Sequence, residues 1–482
     1  MKAHNSLKSP KYLVVDLDNS LLKIDLFKDA LGKSLLQQPW VFCKTVFLAI
    51  TSRAKAKIYI SKKYNIELHT LPYNKNVIDI INNYREIGYE IVLATGASYH
   101  YAGPISNYLE LFDKVIATNE SRNMTGINKL NAIKKEINDD YIYIGDSKKD
   151  IPIWLHCKKA ILVGGKNIIQ KLKENDVEII DIVKKEKSNF YILLKQLRIY
   201  QWSKNLLLFV PALASHQLLS FGVFMNAMQG FWAFSFLASS VYTLNDIVDI
   251  DHDRKHPKKK NRPIAAGDLP IFSAYGYMLF CLLAGVFLSF NLGTTFLMVA
   301  GIYITLNLLY SFYLKKVIIL DVIILMSFYT IRLIAGHVPD AIPLSPWLLS
   351  FAIFLFFSLG LLKRYLDTKV IRENNATLLS GRGYSINDDH MLMSLGVGSG
   401  LISSLVLVLY TGSDQVMRFY ATPMVLVGLS PVILYWISRM WLLAERGLIK
   451  NDPVLFAVKD KITYAVAIMF LAITLFAKYI SV

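Results

Sequence analysis

Four aspartates lie at the end of a long apolar segment, in the sequence LNDIVDIDHDRKHPKKKNRPIAAG (residues 244–267). On a helix, Asp246, Asp249 and Asp253 would share one face, with Asn245 one turn before Asp249. Three like charges on one face repel each other, and a hard divalent cation with oxygen ligands relieves that repulsion. The segment therefore predicts a Mg²⁺ site that holds a diphosphate at a membrane surface.

Basic side chains follow these aspartates directly and could contact phosphates. They are Arg254, Lys255, Lys258, Lys259, Lys260 and Arg262. The alternative interpretation is a solvated acidic helix end that pairs with these cations, as is common in charged loops of membrane proteins. The preceding apolar run argues against it, because carboxylates beside a membrane segment are costly unless they have a function.

The composition of the chain changes near residue 200. The whole chain has 482 residues, of which 54% are hydrophobic, and a net charge of +17. The part before residue 200 is typical of a soluble domain, and the part after it contains apolar segments long enough to cross a bilayer. Nine such segments are predicted, at about 205–222, 224–244, 271–290, 292–312, 317–336, 346–362, 391–411, 421–444 and 462–480.

The distribution of Lys and Arg predicts the orientation of these segments. The loops after the even-numbered segments carry about seventeen of them and the opposite loops carry about one, which places the N-terminal domain and the acidic segment in the cytoplasm. The basicity reflects this bias, so nucleic acid is not an expected partner. The start, MKAHNSLKSP, lacks the apolar region of a signal peptide. Cys43, Cys157 and Cys281 show neither metal-ligand spacing nor a disulfide framework.

Strand-like apolar runs in the N-terminal part end in residues that could do chemistry. The residues so placed are Asp16 and Asp18 after YLVV, Thr95 in IVLAT, Lys129 after KVIAT, and Asp146 and Asp150 after YIYIG. Open parallel sheets bind ligands at the carboxyl ends of their strands. A carboxylate can attack phosphorus when a metal and a lysine neutralise the phosphoryl oxygens. A single Asp at a strand end is more often a helix cap or turn residue.

The four motifs DLDNS, VLATG, NKLNAI and GDSKKD, in this order over about residues 12–165, resemble those of the haloacid dehalogenase (HAD) superfamily. The resemblance implies an α/β Rossmann-like domain with a small helical cap and phosphatase chemistry. The implied roles are nucleophile for Asp16, general acid/base for Asp18, phosphate hydrogen bonding for Ser20 and Thr95, counter-charge for Lys129, and Mg²⁺ ligation for Asp16, Asp18, Asp146 and Asp150. Asn19 and Ser20 replace the commoner Gly and Thr, which leaves a non-catalytic domain open.

The cap is expected between the first two motifs. Its apolar segment PWVFCKTVFLAI (39–50) is too short to span a bilayer. It is interpreted first as a buried cap helix and second as a membrane-facing surface. The predicted organisation is a HAD-like domain at 1–165, a Lys- and Glu-rich linker at 166–196, and a membrane domain at 197–482.

The C-terminal part, with its NDxxDxxxD segment, resembles the UbiA superfamily of intramembrane prenyltransferases. The segments LRIYQWSKN, YSFYLKKVIILD, LLKRYLD and RGLIKNDPVLFAVKD resemble its decaprenyl-phosphate phosphoribosyltransferase branch. The resemblance implies an all-α polytopic domain, of nine transmembrane helices by the count above. Many relatives have a second acidic DxxxD cluster, but here Leu325 stands four residues after Asp321.

In place of this second cluster stand Tyr310, Lys315, Lys316 and Arg332, which suit phosphates better than a metal. The candidates for substrate binding are Lys204, Asn245, Arg262, Tyr310, Lys315, Lys316, Arg332, Lys363 and Arg364. Lysines at cytoplasmic helix ends also snorkel without any function. Arg332 lies inside a predicted span, so it needs a partner, for which Asp321 or a bound phosphate is the candidate. Asp452 and Asp460 could be loop or cap residues.

The resemblance implies Mg²⁺-dependent transfer of 5-phosphoribose from phosphoribosyl pyrophosphate (PRPP) to a polyprenyl phosphate. The HAD-like domain would then remove the 5-phosphate of the product. The implied location is a bacterial-type inner membrane, and the sequence leaves homo-oligomerisation open. Two alternatives remain: an aromatic or quinone prenyltransferase that uses a prenyl diphosphate, and a HAD-like domain that serves as a sensor or docking module.

Overall fold

The computed structural model describes residues 12–479 except 121, 138–139, 165, 185–187, 374–382, 414–415, 417–418 and 450–451. The chain forms two compact units. The first contains the chain up to Leu197 together with Tyr242–Met278, and the second contains Arg198–Val241 with Leu279–Val482. The acidic segment therefore belongs to the same compact unit as the N-terminal domain, whereas the predicted boundaries placed it in the membrane domain.

A six-stranded parallel sheet with the order β3-β2-β1-β4-β5-β6 organises the N-terminal part. Leu13, Val14 and Val15 of the central strand are fully buried, because helices cover both faces of such a sheet. The strands are β1 (Tyr12–Val15), β2 (Glu90–Ser98), β3 (Lys114–Thr118), β4 (Tyr141–Gly145), β5 (Lys159–Val163) and β6 (Glu178–Val183). The helices are α1 (Leu26–Gln37), α2 (Pro39–Thr51), α3 (Arg53–Lys63), α4 (Lys75–Glu86), α5 (Tyr99–Leu109), α6 (Ile127–Glu136), α7 (Ile151–Trp154), α8 (Lys166–Lys173) and α9 (Asn189–Leu197).

The sheet extends beyond the segment that the sequence assigned to the domain. Strand β6 pairs in parallel with β5, from Lys159 opposite Glu178 to Val163 opposite Val183. The Lys- and Glu-rich stretch interpreted as a linker thus contains helix α8 and an edge strand. Charged residues are common on edge strands because they discourage pairing with other chains.

The helical cap is present, but its apolar helix α2 is not buried. Only Val41 and Thr45 of this helix are buried. Trp40 is 79%, Phe47 67% and Ile50 81% exposed. The first interpretation of residues 39–50, a buried cap helix, is therefore wrong for most of its apolar side chains.

Helix α1 of the cap packs against the segment around the acidic cluster, within the first unit. Arg254 donates two hydrogen bonds to the Asp29 carboxylate, at 3.0 and 2.9 Å, and both side chains are buried. Burial by itself would raise the pKa of Asp29, but Arg254 and Lys33 hold it well below its usual range. Removing one partner from a buried ion pair costs about 3–5 kcal/mol. This contact therefore ties the cap to the acidic segment, so both lie on the same side of the membrane.

The remainder of the chain is helical. Its helices are α10 (Val210–Ala214), α11 (Phe221–Val248), α12 (Ile250–Lys255), α13 (Ile271–Asn291), α14 (Thr294–Phe312), α15 (Leu320–His337), α16 (Pro346–Glu373), α17 (Asp389–Thr411), α18 (Leu429–Glu445), α19 (Pro453–Ala457) and α20 (Lys461–Tyr479). Within the described residues, eight helical segments are long and apolar enough to cross a membrane: α11, α13 to α17, Pro423–Glu445 and α20. The predicted count of nine is therefore not confirmed.

The missing segment is the first one, at 205–222, which is not a continuous α-helix. Residues Ile199–Phe209 form 3₁₀ turns, and the short helix α10 follows them. A 3₁₀-helix rises about 2.0 Å per residue, against about 1.5 Å in an α-helix, so this short segment reaches further than its length suggests. The cap and the acidic segment share one side of the membrane, and α11 ends at the acidic segment, so its first residue, Phe221, lies on the opposite side. We therefore expect residues 199–214 to cross as well.

Labelling of single cysteines tests this topology. In a background without native cysteines, Leu344→Cys and Ser220→Cys should react with a membrane-impermeant maleimide in intact cells. Ser220 lies just before α11 and Leu344 lies between α15 and α16, and both positions are expected on the outer side. Lys258→Cys and Asn83→Cys should react only after permeabilisation. Labelling of Lys258→Cys from outside would overturn the orientation, and a protected Ser220→Cys would exclude a crossing by residues 199–214.

Candidate functional site

The first candidate site lies at the carboxyl edge of the parallel sheet. Strand β1 pairs with both β2 and β4, so residues that follow these three strands come together. Asp16 follows β1, Thr95 lies near the end of β2, and Asp146 follows β4. The sequence motifs thus converge as the parallel-sheet interpretation predicted.

Lys129 is the central cation of this site. Its Nζ atom lies 2.8 Å from Oδ1 of Asp16 and 3.1 Å from Oδ1 of Asp150. The Tyr143 hydroxyl donates to the same Asp150 oxygen at 2.8 Å, and the Ser147 hydroxyl donates to Oδ2 at 3.0 Å. Although burial opposes ionisation, these contacts lower the pKa of Asp150. The sequence analysis did not identify Tyr143, because it belongs to no motif and looks like an ordinary strand residue in YIYIG.

Three carboxylates at this edge are suited to a divalent cation. Ligand atoms of Asp16, Asp146 and Asp150 all lie within 4.8 Å of one another. In the described part of the chain, no other set of three Asp, Glu, His or Cys residues is this close together. Burial and neighbouring carboxylates raise the pKa of Asp16 to about 6 and that of Asp146 to about 7. These hard oxygen ligands are the donor set that Mg²⁺ prefers, and a cation would relieve their repulsion.

The side chain of Asp18 does not join this group, although the sequence placed it among the metal ligands. Its Oδ1 atom accepts a hydrogen bond from the Leu26 backbone N–H at 2.9 Å, at the start of α1. Burial, Asp25 and Asp16 together raise the pKa of Asp18 well above its usual range. A carboxyl group that keeps its proton suits the role of general acid rather than of metal ligand.

Two buried hydroxyls at the same edge could bind phosphate oxygens. The Ser20 hydroxyl is buried, and the described residues offer it no hydrogen-bond partner. Thr95 Oγ1 accepts from the Ala97 N–H at 3.0 Å, and a hydroxyl that accepts can still donate its own proton. A buried polar atom without a partner is destabilising, so a ligand at this position would satisfy Ser20.

Lys57 of helix α3 reaches this site from the cap, and no sequence motif pointed to it. Its Nζ atom donates to the Gly96 carbonyl at 2.5 Å and to Asn123 Oδ1 at 3.0 Å. Burial lowers the pKa of Lys57, while Asp18 and Asp25 oppose this shift. The only available signal was the basic character of RAKAKIYISKK, which most often indicates a solvated helix face.

A cavity of about 700 Å³ opens beside the aspartates. Asn19, Asp25 and Asp146 line its polar side, and Lys23, Lys28 and Lys184 add positive charge. Its other side is apolar and is formed by Ile264, Leu269, Pro270, Ile271 and Phe272. These last residues lead into helix α13, a candidate span, so the cavity combines charged side chains with apolar residues at the membrane end of a helix.

The acidic segment has a break at Asp249, although the N–H groups of Asp249 and Asp253 still donate to the carbonyls four residues earlier. Helix α11 ends at Val248, and Asp249 is the N-cap residue that begins α12. Nevertheless, Asp246 and Asp253 meet at Arg262, whose NH1 atom lies 3.0 Å from Asp246 Oδ1 and 2.6 Å from Asp253 Oδ2. The guanidinium stands where two carboxylates require a positive charge. Asp246 and Asp253 thus share one cation, and a Mg²⁺ site that also includes Asp249 stays a prediction.

In the second unit, Asp452 links two of the predicted lysines. Its Oδ2 atom lies 3.4 Å from Lys204 Nζ and 3.1 Å from Lys363 Nζ. Asp452 also caps helix α19 by accepting from the N–H groups of Val454 and Leu455. The two lysines hold the pKa of Asp452 below its usual range, against the effect of burial. Asp452 is thus both the cap residue that the sequence allowed and a part of a charged cluster.

Arg364 and Asp321 form a second, fully buried pair in this unit. Arg364 Nε lies 2.5 Å from Asp321 Oδ2, and the Tyr384 hydroxyl donates to Asp321 Oδ1 at 2.6 Å. Arg364 also contacts Asp367 at 2.7 Å and the Tyr310 hydroxyl at 3.1 Å. Both oxygens of Asp321 therefore already have donors. Lys315 lies half-buried on the short 3₁₀ turn Leu314–Lys316 that follows α14.

Asp321 is not the partner of Arg332, although the sequence suggested this pair. Arg332 donates from Nε to Asn205 Oδ1 at 2.7 Å and from NH2 to the Tyr303 hydroxyl at 3.1 Å. Arg332 and Asp321 stand eleven residues apart on α15, which is about 16 Å along the axis. The arginine is instead satisfied by neutral groups, so it could still attract an anion.

Comparisons with known proteins found relatives of most of the chain and of parts of it. The uncharacterized protein y4nM of Sinorhizobium fredii is 32% identical over 94% of this chain and 88% of its own. Decaprenyl-phosphate phosphoribosyltransferase of Corynebacterium glutamicum is 38% identical over 36% of this chain and 54% of its own. A solved phosphoserine phosphatase complex has a TM-score of 0.27 and 17% identity, and covers 39% of this chain and 98% of that chain. The UbiA prenyltransferase family model matches residues 206–447, half of the chain. The chain therefore belongs to the UbiA prenyltransferase family, whose members are membrane-embedded enzymes.

Proposed function

We propose that the membrane domain transfers 5-phosphoribose from PRPP to a polyprenyl phosphate and releases diphosphate. The state of Asp321 carries this proposal. Its two carboxylate oxygens are engaged by Arg364 and Tyr384 in a fully buried cluster, so it is poorly placed to ligate a second metal. The resemblance implies a second acidic cluster in relatives that use a prenyl diphosphate, whereas the Arg364 and Tyr310 side chains beside Asp321 suit phosphate groups. Similarity to decaprenyl-phosphate phosphoribosyltransferases supports the same choice.

The residues of each unit have separable roles in this reaction. Asp246, Asp249 and Asp253 would hold Mg²⁺, which supplies charge stabilisation to the departing diphosphate. Arg262 would exchange its carboxylate partners for a phosphate. The bond from the anomeric carbon to the diphosphate oxygen breaks, and an oxygen of the lipid phosphate forms the new bond. Since that phosphate is already anionic, no general base is needed. Lys204, Lys363 and Arg332 would offset the repulsion between two anionic substrates.

The HAD-like domain then hydrolyses the 5-phosphate of the product, polyprenylphosphoryl-5-phosphoribose. Asp16 attacks phosphorus, and Asp18, whose pKa is raised by burial and by Asp25 and Asp16, donates a proton to the leaving ribose oxygen. Water then cleaves the aspartyl phosphate. Asp16, Asp146 and Asp150 would hold Mg²⁺, which neutralises phosphoryl oxygens together with Lys129. The cavity beside Asp146 supports a lipid-linked substrate, because its apolar wall belongs to the membrane end of α13.

A donor comparison tests the transferase proposal. Purified protein in nanodiscs with polyprenyl phosphate should convert radiolabelled PRPP to a lipid-linked product and release diphosphate, and it should give no product from a prenyl diphosphate with an aromatic acceptor. The reverse result would identify an aromatic prenyltransferase and refute the phosphoribosyl assignment. Phosphate release from a small phosphate ester, measured on the same sample, separates a catalytic HAD-like domain from a sensor or docking module.

A further inference from the structure

An apolar stripe on helix α2 of the cap has no partner in the described structure. Trp40, Cys43, Phe47 and Ile50 stand at i, i+3, i+7 and i+10, which places them on one side of the helix, and all four are exposed. Val41 and Thr45, on the opposite side, are buried against the cap. The helix is therefore attached through one face and presents a large apolar face outward.

The exposure of this stripe matches that of the membrane spans. Phe47 is 67% exposed, and Phe280, Phe287 and Phe290 of the span α13 are 62%, 64% and 63% exposed. Soluble surfaces rarely carry contiguous apolar patches of this kind unless a partner covers them. The helix has 13 residues, so at about 20 Å it cannot cross the hydrocarbon core. It is apolar on both sides, so once Val41 and Thr45 pack on the cap, the outward side can be covered by the membrane surface without crossing it.

The charged residues next to the stripe in the sequence are all of one sign. From Leu31 to Ile66 the chain has seven Lys or Arg residues and no Asp or Glu. Lys44 lies within α2 and is exposed at the border of the stripe, and exposed Arg53 and Lys55 begin α3 directly afterwards. A basic border around an apolar face is complementary to anionic lipid headgroups.

Contacts within the first unit hold this helix close to a membrane span. The Tyr275 hydroxyl of α13 donates to the Gly32 carbonyl of α1 at 3.0 Å. A Cβ atom at Gly32 would come within 2.5 Å of Ile271 Cγ2, so only glycine permits this close approach. Helix α2 begins at Pro39, two residues after α1 ends. Helix α1 therefore contacts the start of the span α13 and leads directly into α2.

We propose that α2 is an interfacial helix, whose Trp40–Ile50 stripe inserts among the headgroups of anionic lipids on the face of the bilayer where the acidic segment lies. The cap would then be anchored at two points, by α13 through α1 and by the lipid surface through α2. This anchoring keeps the mouth of the HAD-like site at the membrane surface.

Cys43 provides a native reporter for the test. In full-length protein carrying Cys157→Ser and Cys281→Ser, Cys43 is labelled with an NBD fluorophore and the protein is placed in nanodiscs of phosphatidylcholine and phosphatidylglycerol. We expect emission at a shorter wavelength and loss of intensity when the discs contain doxyl-labelled lipid. The matched control is Asn83→Cys with Cys43→Ser, labelled on exposed helix α4, which should show neither effect.

Charge insertion separates docking from folding. Trp40→Glu with Phe47→Glu, in the Cys43 background, should abolish quenching without changing the Tm, because both side chains are exposed. Discs of phosphatidylcholine alone should reduce the quenching. Equal quenching in both kinds of disc would contradict the proposed preference for anionic lipids. Quenching of Cys43 no greater than that of the Asn83→Cys control would overturn the proposal. Cys43 to Cys43 cross-links without lipid quenching would assign the stripe to a second copy instead.

Discussion

Asp16→Asn should abolish phosphate release by the HAD-like domain and leave ribosyl transfer intact. The amide cannot attack phosphorus, and loss of a nucleophile typically lowers turnover by roughly 10³-fold or more. The substitution keeps the size of the side chain, although it removes the ion pair with Lys129 at 2.8 Å. Lipid mass spectrometry should show polyprenylphosphoryl-5-phosphoribose from the variant and polyprenylphosphoryl ribose from the wild type, which differ by one phosphate.

Asp79→Asn is the control for this experiment, because Asp79 is exposed on α4 and lies outside the catalytic cluster. It should give the wild-type product. Identical lipid products from the wild type and Asp16→Asn would contradict the two-step reaction. The domain would then act on another substrate or do no chemistry, and the transferase proposal would stand on its own tests.

Asp246→Asn, Asp249→Asn and Asp253→Asn should each lower phosphoribosyl transfer by about 10²-fold or more, since each removes a charged ligand that stabilises the departing diphosphate. Transfer should also stop in excess chelator. The effect should appear in the initial rate of lipid labelling from PRPP. Phosphate release from a small ester should persist in these variants, because Asp16, Asp146 and Asp150 form a separate cluster.

Asp251→Asn is the matched control in the same segment. The Asp251 side chain is 55% exposed and pairs with Lys33 at 2.7 Å, and Lys33 keeps its second partner, Asp29, at 2.8 Å. Removal of the Asp251 charge should therefore leave transfer within about two-fold of the wild type. Full activity of Asp249→Asn, or equal losses in Asp251→Asn and Asp249→Asn, would contradict a metal site built from the three named aspartates.

Several features followed from the sequence because they depend on local order. The motifs around Asp16, Thr95, Lys129 and Asp146 each end or follow a strand, and parallel strands deliver their carboxyl ends to one edge. The later apolar segments were located within a few residues for a similar reason, since length and hydropathy alone determine whether a helix can span a bilayer. The family followed from the same segments and their acidic motif.

Other features required the tertiary structure, because they depend on partners distant in sequence or on a local break in periodicity. Helical spacing placed Asp246, Asp249 and Asp253 on one face, but the chain leaves the helix at Asp249, and Arg262 reunites two of them. The segment 205–222 has a span-like composition, yet it forms 3₁₀ turns, which composition does not distinguish from an α-helix.

The burial of apolar side chains and the pairing of charged ones also depended on the tertiary structure. Arg364 takes the carboxylate that the sequence offered to Arg332, because a residue on another helix is nearer than one eleven positions along the same helix. Helix α2 has the composition of a core helix, and only the packing shows that its Trp40, Phe47 and Ile50 side chains face outward. The sequence by itself determined which residues have the chemistry and which elements carry them. The tertiary structure decided which charges meet and which apolar faces are covered, because both depend on contacts between elements far apart in the chain.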